Sequence, residues 1–379
     1  MTEKLYDGDS FLREFTANVL ECEEYHDKWS VLLDKTAFFP EAGGQKSDQG
    51  SLNNSNVLDV QITDEKIYHI VDKPLGVGQT VTGVIDFARR FDFMQQHSAE
   101  HIVSGIANSL YGCENVGFHL SEDIVTLDFD KLLDEEQLSK IQAKANEKVF
   151  CNVAFNCYYP DEKALKGLSY RSKKELEGAV RIVEIEGTDM CACCAPHVKC
   201  AGQIGIIKLL SAEKLRGGIR IELKAGKRAL EDYNEKHNNI RKISSLLASA
   251  QGDTALGVER LLNTLNEQKA KLNSLRLEKL KSKAESFSPK GYISVMFEDD
   301  LTVRDLQVLA DTLHKAHGGI RGVLSKASDG FAFCICGGDD LDGFFIKFKT
   351  AFTVKGGGRN GMVQGTVMGE KAKLEKFFN

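Results

Sequence analysis

The 379-residue chain holds 5 prolines, none of them between residues 226 and 286, and no apolar run approaching the length of a membrane span. The missing run excludes a helical membrane protein, and the proline-free stretch is open to uninterrupted helix. Its 10 cysteines are too few and too clustered for a disulfide scaffold. The opening Met1-Thr-Glu-Lys-Leu5 lacks the pattern of a secretory signal, so the expected setting is a reducing cytoplasm. Apolar residues at 42% and charged residues at 27% are those of an ordinary globular chain and exclude a disordered one. The length allows two or three domains with proper cores. A net charge of −6 argues against nucleic acid only if it is evenly spread, and it is not: residues 1–198 carry −15, residues 199–290 carry +9, and residues 291–379 carry 0. The basic middle segment can hold a phosphate backbone, with a solvated lysine-rich helix face as the alternative.

Periodicity divides the chain into four parts and predicts an α+β fold. Over residues 1–88, alternating apolar and polar residues at 17–21, 29–33, 57–62, 67–71 and 81–85, set between Gly, Asn and Asp turns, predict a small barrel-like β subdomain. From Phe91 the period changes. Phe93, His97, His101, Ile102, Gly105 and Leu110 trace a helix closing near Gly112, which opens an α+β domain over 89–225. There, strands are expected at 124–129, 153–158, 180–185, 204–210 and 219–223, with a helix over 134–149 capped by Asp134. Residues 226–288 read as a helical arm broken at 251–257, where Asp253 or Thr254 can cap a second helix. Val258, Leu261, Leu265, Leu272 and Leu275 there take a and d positions, suiting either an intramolecular hairpin or a homodimer. Residues 289–379 form an α/β tail, with strands at 292–297 and 330–335, a helix over 303–316, and a glycine run at 355–361.

Two pairs of residues share one spacing. His97 and His101, one turn apart on the predicted helix, project from the same face. Cys193 and His197 repeat the offset in Asp189-Met-Cys-Ala-Cys-Cys-Ala-Pro-His197, a loop-like stretch after a strand-like run. Three imidazoles and a thiolate make a zinc site. Cys191, Cys194 and Cys200 lie close enough to compete as ligands or to be plain buried thiols. The run His97-Ser-Ala-Glu100-His101 also spells H-x-x-E-H, an inverted zinc-peptidase signature with Glu100 as base. Those enzymes take an acidic ligand, however, and have no need of the Cys-x3-His pair. Glu100 could serve as a base for water under either reading, though solvent exposure is the commoner fate of a glutamate. In the tail, Gly356, Gly357, Gly358 and Arg359 could cradle phosphates, but the Gly-Lys-Ser/Thr ending of a P-loop is absent.

With these pairs and the run Asp34-Lys-Thr-Ala-Phe-Phe-Pro-Glu-Ala-Gly-Gly-Gln45, the chain resembles the free-standing alanyl-tRNA editing proteins of the AlaX group in their long form. Residues 1–225 look like the editing domain of alanyl-tRNA synthetase with its glycine-rich β subdomain. Residues 226–379 look like that enzyme's helical arm and DHHA1-type C-terminal domain, without the Asp-His-His sequence of related phosphoesterases. The resemblance implies that His97, His101, Cys193 and His197 ligate zinc. It implies also that Thr36, Gly43, Gly44 and Gln45 border the pocket for the aminoacylated tRNA end. The implied activity is ATP-independent deacylation, in trans, of tRNA for alanine mischarged with serine or glycine. Where the family has Cys-Gly-Gly-Thr-His, this chain has Cys193-Cys-Ala-Pro-His197, and Ala42 interrupts the glycine triplet. A different class of function, a catalytically silent tRNA-binding adaptor with structural zinc, fits the same features.

Overall fold

A computed structural model describes residues 2–172 and 179–378. The chain forms two compact units, Met1–Arg241 and Lys242–Asn379. The first opens with β1 (Glu3–Lys4) and the single turn α1 (Leu5–Gly8), followed by β2 (Glu14–Tyr25), β3 (Lys28–Leu33), β4 (Lys35–Thr36), β5 (Gly50–Leu52), β6 (Ser55–Thr63), β7 (Lys66–Val71) and β8 (Thr80–Ile85). Alternation sets the faces: in β2, Phe15, Ala17 and Val19 are buried while Glu14, Thr16 and Asn18 are exposed. Antiparallel pairing runs β2-β3-β7-β6-β5-β8 and returns from β8 to β2. Val31, Leu33, Val57, Val60, Val71 and Val81 pack with Phe38 and Phe39 into one core.

The long helix α2 (Phe87–Tyr111) starts four residues before the expected Phe91, because the Asp86 carboxylate accepts the Arg89 N–H and caps it. It ends at Gly112, which has a left-handed φ of 62°. Its period suggests one apolar face, yet every residue from 93 to 107 is buried. Gln95 and Gln96 are satisfied by backbone: the Gln96 amide both donates to and accepts from Ala225, and Gln95 donates to the Gln203 carbonyl.

Around this helix lie β9 (Asn115–Leu120), β10 (Val125–Phe129), α3 (Glu135–Phe150), β11 (Phe155–Tyr158), α4 (Glu162–Gly167), β12 (Ile182–Ile185), β13 (Asp189–Ala192), β14 (Ile207–Leu215), β15 (Gly218–Ala225) and α5 (Gly226–Leu247). Two sheets result, β14-β15-β10-β9 and β11-β12-β13. α3 has the expected Asp134 cap, completed to a capping box by Gln137. The strand expected from residue 204 begins instead at Ile207, because Ala201–Ile204 is a 3₁₀ turn closed by Gly205 at φ 87°.

The second unit contains α6 (Thr254–Glu285), β16 (Ile293–Phe297), α7 (Val303–His317), β17 (Ile320–Ala327), β18 (Gly330–Cys336), α8 (Leu341–Ala351), β19 (Thr353–Arg359), β20 (Met362–Met368) and α9 (Lys371–Phe378). Its sheet runs β16-β17-β18-β20-β19. Alternate residues of β18 feed two cores: Phe333 and Ile335 join α8 and α9, whereas Cys334 and Cys336 join α7 and the end of α6 at Leu280 and Ala284. Neither Asp253 nor Thr254 caps α6 through its side chain; the Thr254 hydroxyl donates to the Gln251 carbonyl instead. Val258, Leu261, Leu265, Leu272 and Leu275 are exposed. Among the described residues, no helix is long and apolar enough to cross a membrane.

Candidate metal centre

The buried core of α2 carries His97 and His101, and the loop leaving β13 carries Cys193 and His197. Their ligand atoms all lie within 4.8 Å of one another. Zinc bond lengths in a tetrahedron place two nitrogens about 3.3 Å apart, and a nitrogen and a sulfur about 3.6 Å apart. The Cys193 Sγ stands 3.7 Å from His97 Nε2 and 3.4 Å from His197 Nε2.

Each imidazole is held from behind. His97 Nδ1 meets Gln45 Oε1 at 2.9 Å, His101 Nδ1 meets Asp189 Oδ2 at 3.2 Å, and His197 Nδ1 meets Ser98 Oγ at 3.1 Å. An amide oxygen and a carboxylate only accept, so Nδ1 carries the proton and the Nε2 lone pair is the one able to coordinate an ion. Ser98 fits the same pattern, its oxygen accepting the Val198 N–H as well. Burial, reinforced by the neighbouring His101 and His97, holds His197 well below the usual imidazole range and therefore neutral. Burial likewise pushes the Cys193 thiol up, with Cys194 adding to it, so a cation is what would favour the thiolate. The donor set fits a soft-to-borderline divalent ion.

A second cluster, His101, Asp189 and Cys191, is built differently. Arg171 grips Asp189 with two bonds of 2.7 Å. Burial pushes this carboxyl up, but the hydrogen bonds from His101 and Arg171 outweigh it and leave the pKa lowered. Asp189 is thus a paired anion orienting His101. Cys194 is exposed and Cys200 half-buried.

The glycine-rich turn reaches the centre. Gly43 and Gly44 have φ of 61° and 82°, and the Ala42 and Gln45 backbones exchange bonds of 3.2 and 3.0 Å, forming a two-residue hairpin turn that needs positive φ at both positions. Leu120 N–H donates to the Gly44 carbonyl, and a Cβ on Gly44 would stand 2.8 Å from the ring of Phe118, itself packed against His97. Gln45 is fully buried, and its Nε2 has no hydrogen-bond partner among the described residues. Glu100 is buried rather than solvated: Oε1 accepts from Ser104 and Asn115, and Oε2 lies 3.8 Å from His101 Nε2. Thr36, also buried, bonds to His69 and to the Phe38 N–H. In the second unit, Gly356, Gly357, Gly358 and Arg359 lie in edge strand β19, paired with β20.

Sequence reasoning missed Ser98, Asp189, Arg171 and Arg181. Buried Arg181 donates to the carbonyls of Cys193 and Ala195 and so shapes the ligand loop. The one available signal was a charged residue inside the apolar run Val180-Arg-Ile-Val183.

Residues 180–222 match the second additional domain of threonyl and alanyl tRNA synthetases, and residues 10–89 match the class II (A) tRNA synthetases. The alanyl-tRNA editing protein Aarsd1 of Rattus norvegicus is 30% identical over 289 residues, covering 71% of this chain and 70% of that protein. The Mus musculus protein of the same name is 30% identical over 290 residues, with the same coverage. The alanine–tRNA ligase of Pyrococcus furiosus is 31% identical over 401 residues, 98% of this chain and 43% of the ligase.

Proposed function

The chain belongs to the alanyl-tRNA editing protein family, and from that premise we propose that it deacylates mischarged tRNA for alanine in trans, cleaving the ester to serine, with glycine as a second substrate. Such an activity is needed because an alanine-sized synthetic site cannot strongly reject a residue that merely adds a hydroxyl or is smaller. The observation that carries the reading is the hydrogen bond between Gln45 and His97, which joins the glycine turn to the metal cluster in one site.

His97, His101, Cys193 and His197 would hold zinc, which when bound supplies Lewis acidity toward an ester carbonyl or a water. The rest falls to the chain's own groups. Gln45 spends its oxygen on His97 and keeps Nε2 for an ester or ribose oxygen. Glu100 has a carboxylate oxygen beside the cluster to take a proton from the attacking water. Gly43 and Gly44 let backbone approach the substrate, and Thr36 borders the pocket on the strand side. A second reading draws on the complete ligand set: four protein ligands are typical of a structural ion, so the metal would shape the pocket rather than take part in chemistry. Affinity for tRNA would come from the +9 segment and from exposed Arg359, in a DHHA1-like C-terminal domain. The leucine stripe of α6 would pair two copies, in the cytoplasm.

The test is zinc content and deacylation of Ser-, Gly- and Ala-charged tRNA for alanine. One zinc per chain and hydrolysis of the seryl ester are expected, and both should vanish in His97→Ala with Cys193→Ala. Full occupancy in that variant would move the site to Cys191, Cys194 and Cys200. A zinc-loaded chain that binds tRNA without cleaving it is the adaptor, and Glu100-dependent peptide cleavage alone would make it a peptidase.

A further inference from the structure

Gly43 and Gly44 are exposed, so the tip of the glycine turn faces solvent beside the cluster that Gln45 joins. Two segments frame it. Lys46 and Ser47 leave the turn, and Leu120, which donates to the Gly44 carbonyl, runs on into Ser121 and Glu122. Arg89 of α2 spans the two: its Nε donates to the Ser47 carbonyl at 3.4 Å and its Nη1 to Glu122 Oε1 at 2.8 Å, which leaves Nη2 without a hydrogen bond among the described residues. The guanidinium lies over the Phe93 ring, 4.5 Å from its centroid, and the Arg89 side chain is only 16% exposed. Packing and a backbone carbonyl thus fix the arginine before any ligand arrives. Its carboxylate partner Glu122 is 68% exposed.

Three cations converge on that carboxylate. The hydrogen bond and charge of Arg89, then the charges of Arg228 and Lys46, hold the Glu122 carboxyl below its usual range. Arg228 is committed elsewhere: it grips Asp92 and donates to the Ser121 carbonyl, fixing the residue before Glu122. Lys46 pairs loosely with Glu41, 3.8 Å away, with both side chains about half exposed. Because water screens an exposed carboxylate, another anion can replace Glu122 on Arg89 at slight cost, and a phosphodiester offers the guanidinium fork two oxygens. Eight residues of helix separate Arg89 from His97, roughly 12 Å along the axis, within reach of the nucleotides that precede an ester held at the metal. We propose that Arg89 and Lys46 form a phosphate subsite for the single-stranded 3′ end of tRNA, and that Glu122 is the internal anion occupying it until the nucleic acid displaces it. The identity of the ligand rests on the deacylase reading above. Residues 1–198 carry −15, so a phosphate chain entering beside the glycine turn needs local cations there.

The test is binding of uncharged tRNA for alanine, intact or lacking its last three nucleotides, to the full-length protein at low salt. Wild type is expected to favour the intact tRNA. Arg89→Gln should weaken the intact tRNA roughly 3- to 10-fold, the weight of one screened charge-assisted bond, and leave the truncated one unchanged. The salt slope for intact tRNA should fall by about one unit, and Arg89→Lys should recover part of the affinity. Lys46→Gln should act in the same direction and more weakly. Glu122→Gln distinguishes the subsite from a merely structural ion pair: losing the internal competitor should tighten intact tRNA about two- to fivefold, whereas losing a structural pair weakens it as Arg89→Gln does. An equal loss on both tRNAs in Arg89→Gln, weaker or unchanged binding in Glu122→Gln, or a wild type blind to the missing end overturns the subsite. Should Arg89→Gln not fold, Lys46→Gln and Glu122→Gln decide by the same signs. A wild type that binds the intact end and cleaves no ester overturns the deacylase reading and leaves the subsite standing.

Discussion

The glycine turn at residues 42–45 and the glycine run at 355–361 look alike in composition and solve different problems. In the first, glycine is needed for the sign of φ at Gly43 and Gly44, and the turn delivers Gln45 to a buried histidine. In the second, glycine is needed for approach: a Cβ on Gly358 would stand 1.9 Å from the Met362 carbonyl oxygen across the hairpin. One is a fixed point of a polar site, and the other a close-packed rung at the edge of a sheet. Glycine content marks where backbone needs room, and the neighbours decide what the room is for.

Substituting Gln45 with leucine strikes hardest at this contrast, because it removes the acceptor behind His97 while keeping the turn glycines. Zinc affinity, measured by competition with a chelator, should fall about 10- to 100-fold, the usual weight of an outer hydrogen bond on a ligating histidine. An unchanged affinity would separate the turn from the metal centre and make the two glycine segments equivalent scaffolding. Gly358→Ala should act on the other side of the comparison, lowering the stability of residues 242–379 by roughly 1–3 kcal/mol in denaturant unfolding, with zinc occupancy unchanged. Zinc loss in that variant would break the contrast from the opposite direction. The smallest effect is expected from Lys269, Lys271 and Lys279, exposed on α6. Changing all three to glutamine should weaken tRNA binding a few-fold at low salt and reduce the salt slope by up to about one unit for each phosphate that a lysine neutralised. If Arg359→Gln alone does more than the three lysines together, the glycine run is a tRNA-binding element after all.

How much was legible depended on the range of the physics involved. The five predicted strands of residues 1–88 are present, and in β2, β6 and β8 one face is buried and the other largely wet, which writes alternation into the sequence. Strand β17 escaped notice because residues 320–325 are all buried, so the run has no alternation to read. Helix α2 was recognisable by its histidine spacing and its Gly112 stop, but its complete burial was not, since Gln95, Gln96, Ser98 and Glu100 look like a solvent face until their partners are known. The exposed stripe of α6 is the reverse case, a clear heptad pattern left unburied among the described residues of its unit.

The sequence alone determined whatever depends on offsets of a few residues: the i, i+4 spacing that aligns His97 with His101, the Cys193 and His197 pair, the Asp134 cap, and the glycines that permit a two-residue turn. Only the tertiary structure decided which groups stand behind the ligands. Gln45, Asp189 and Ser98 lie 52, 88 and 99 residues from the histidines they orient, and Thr36 lies 33 from His69. No local pattern encodes such pairings, because a hydrogen bond reaches about 3 Å in space and is blind to distance along the chain.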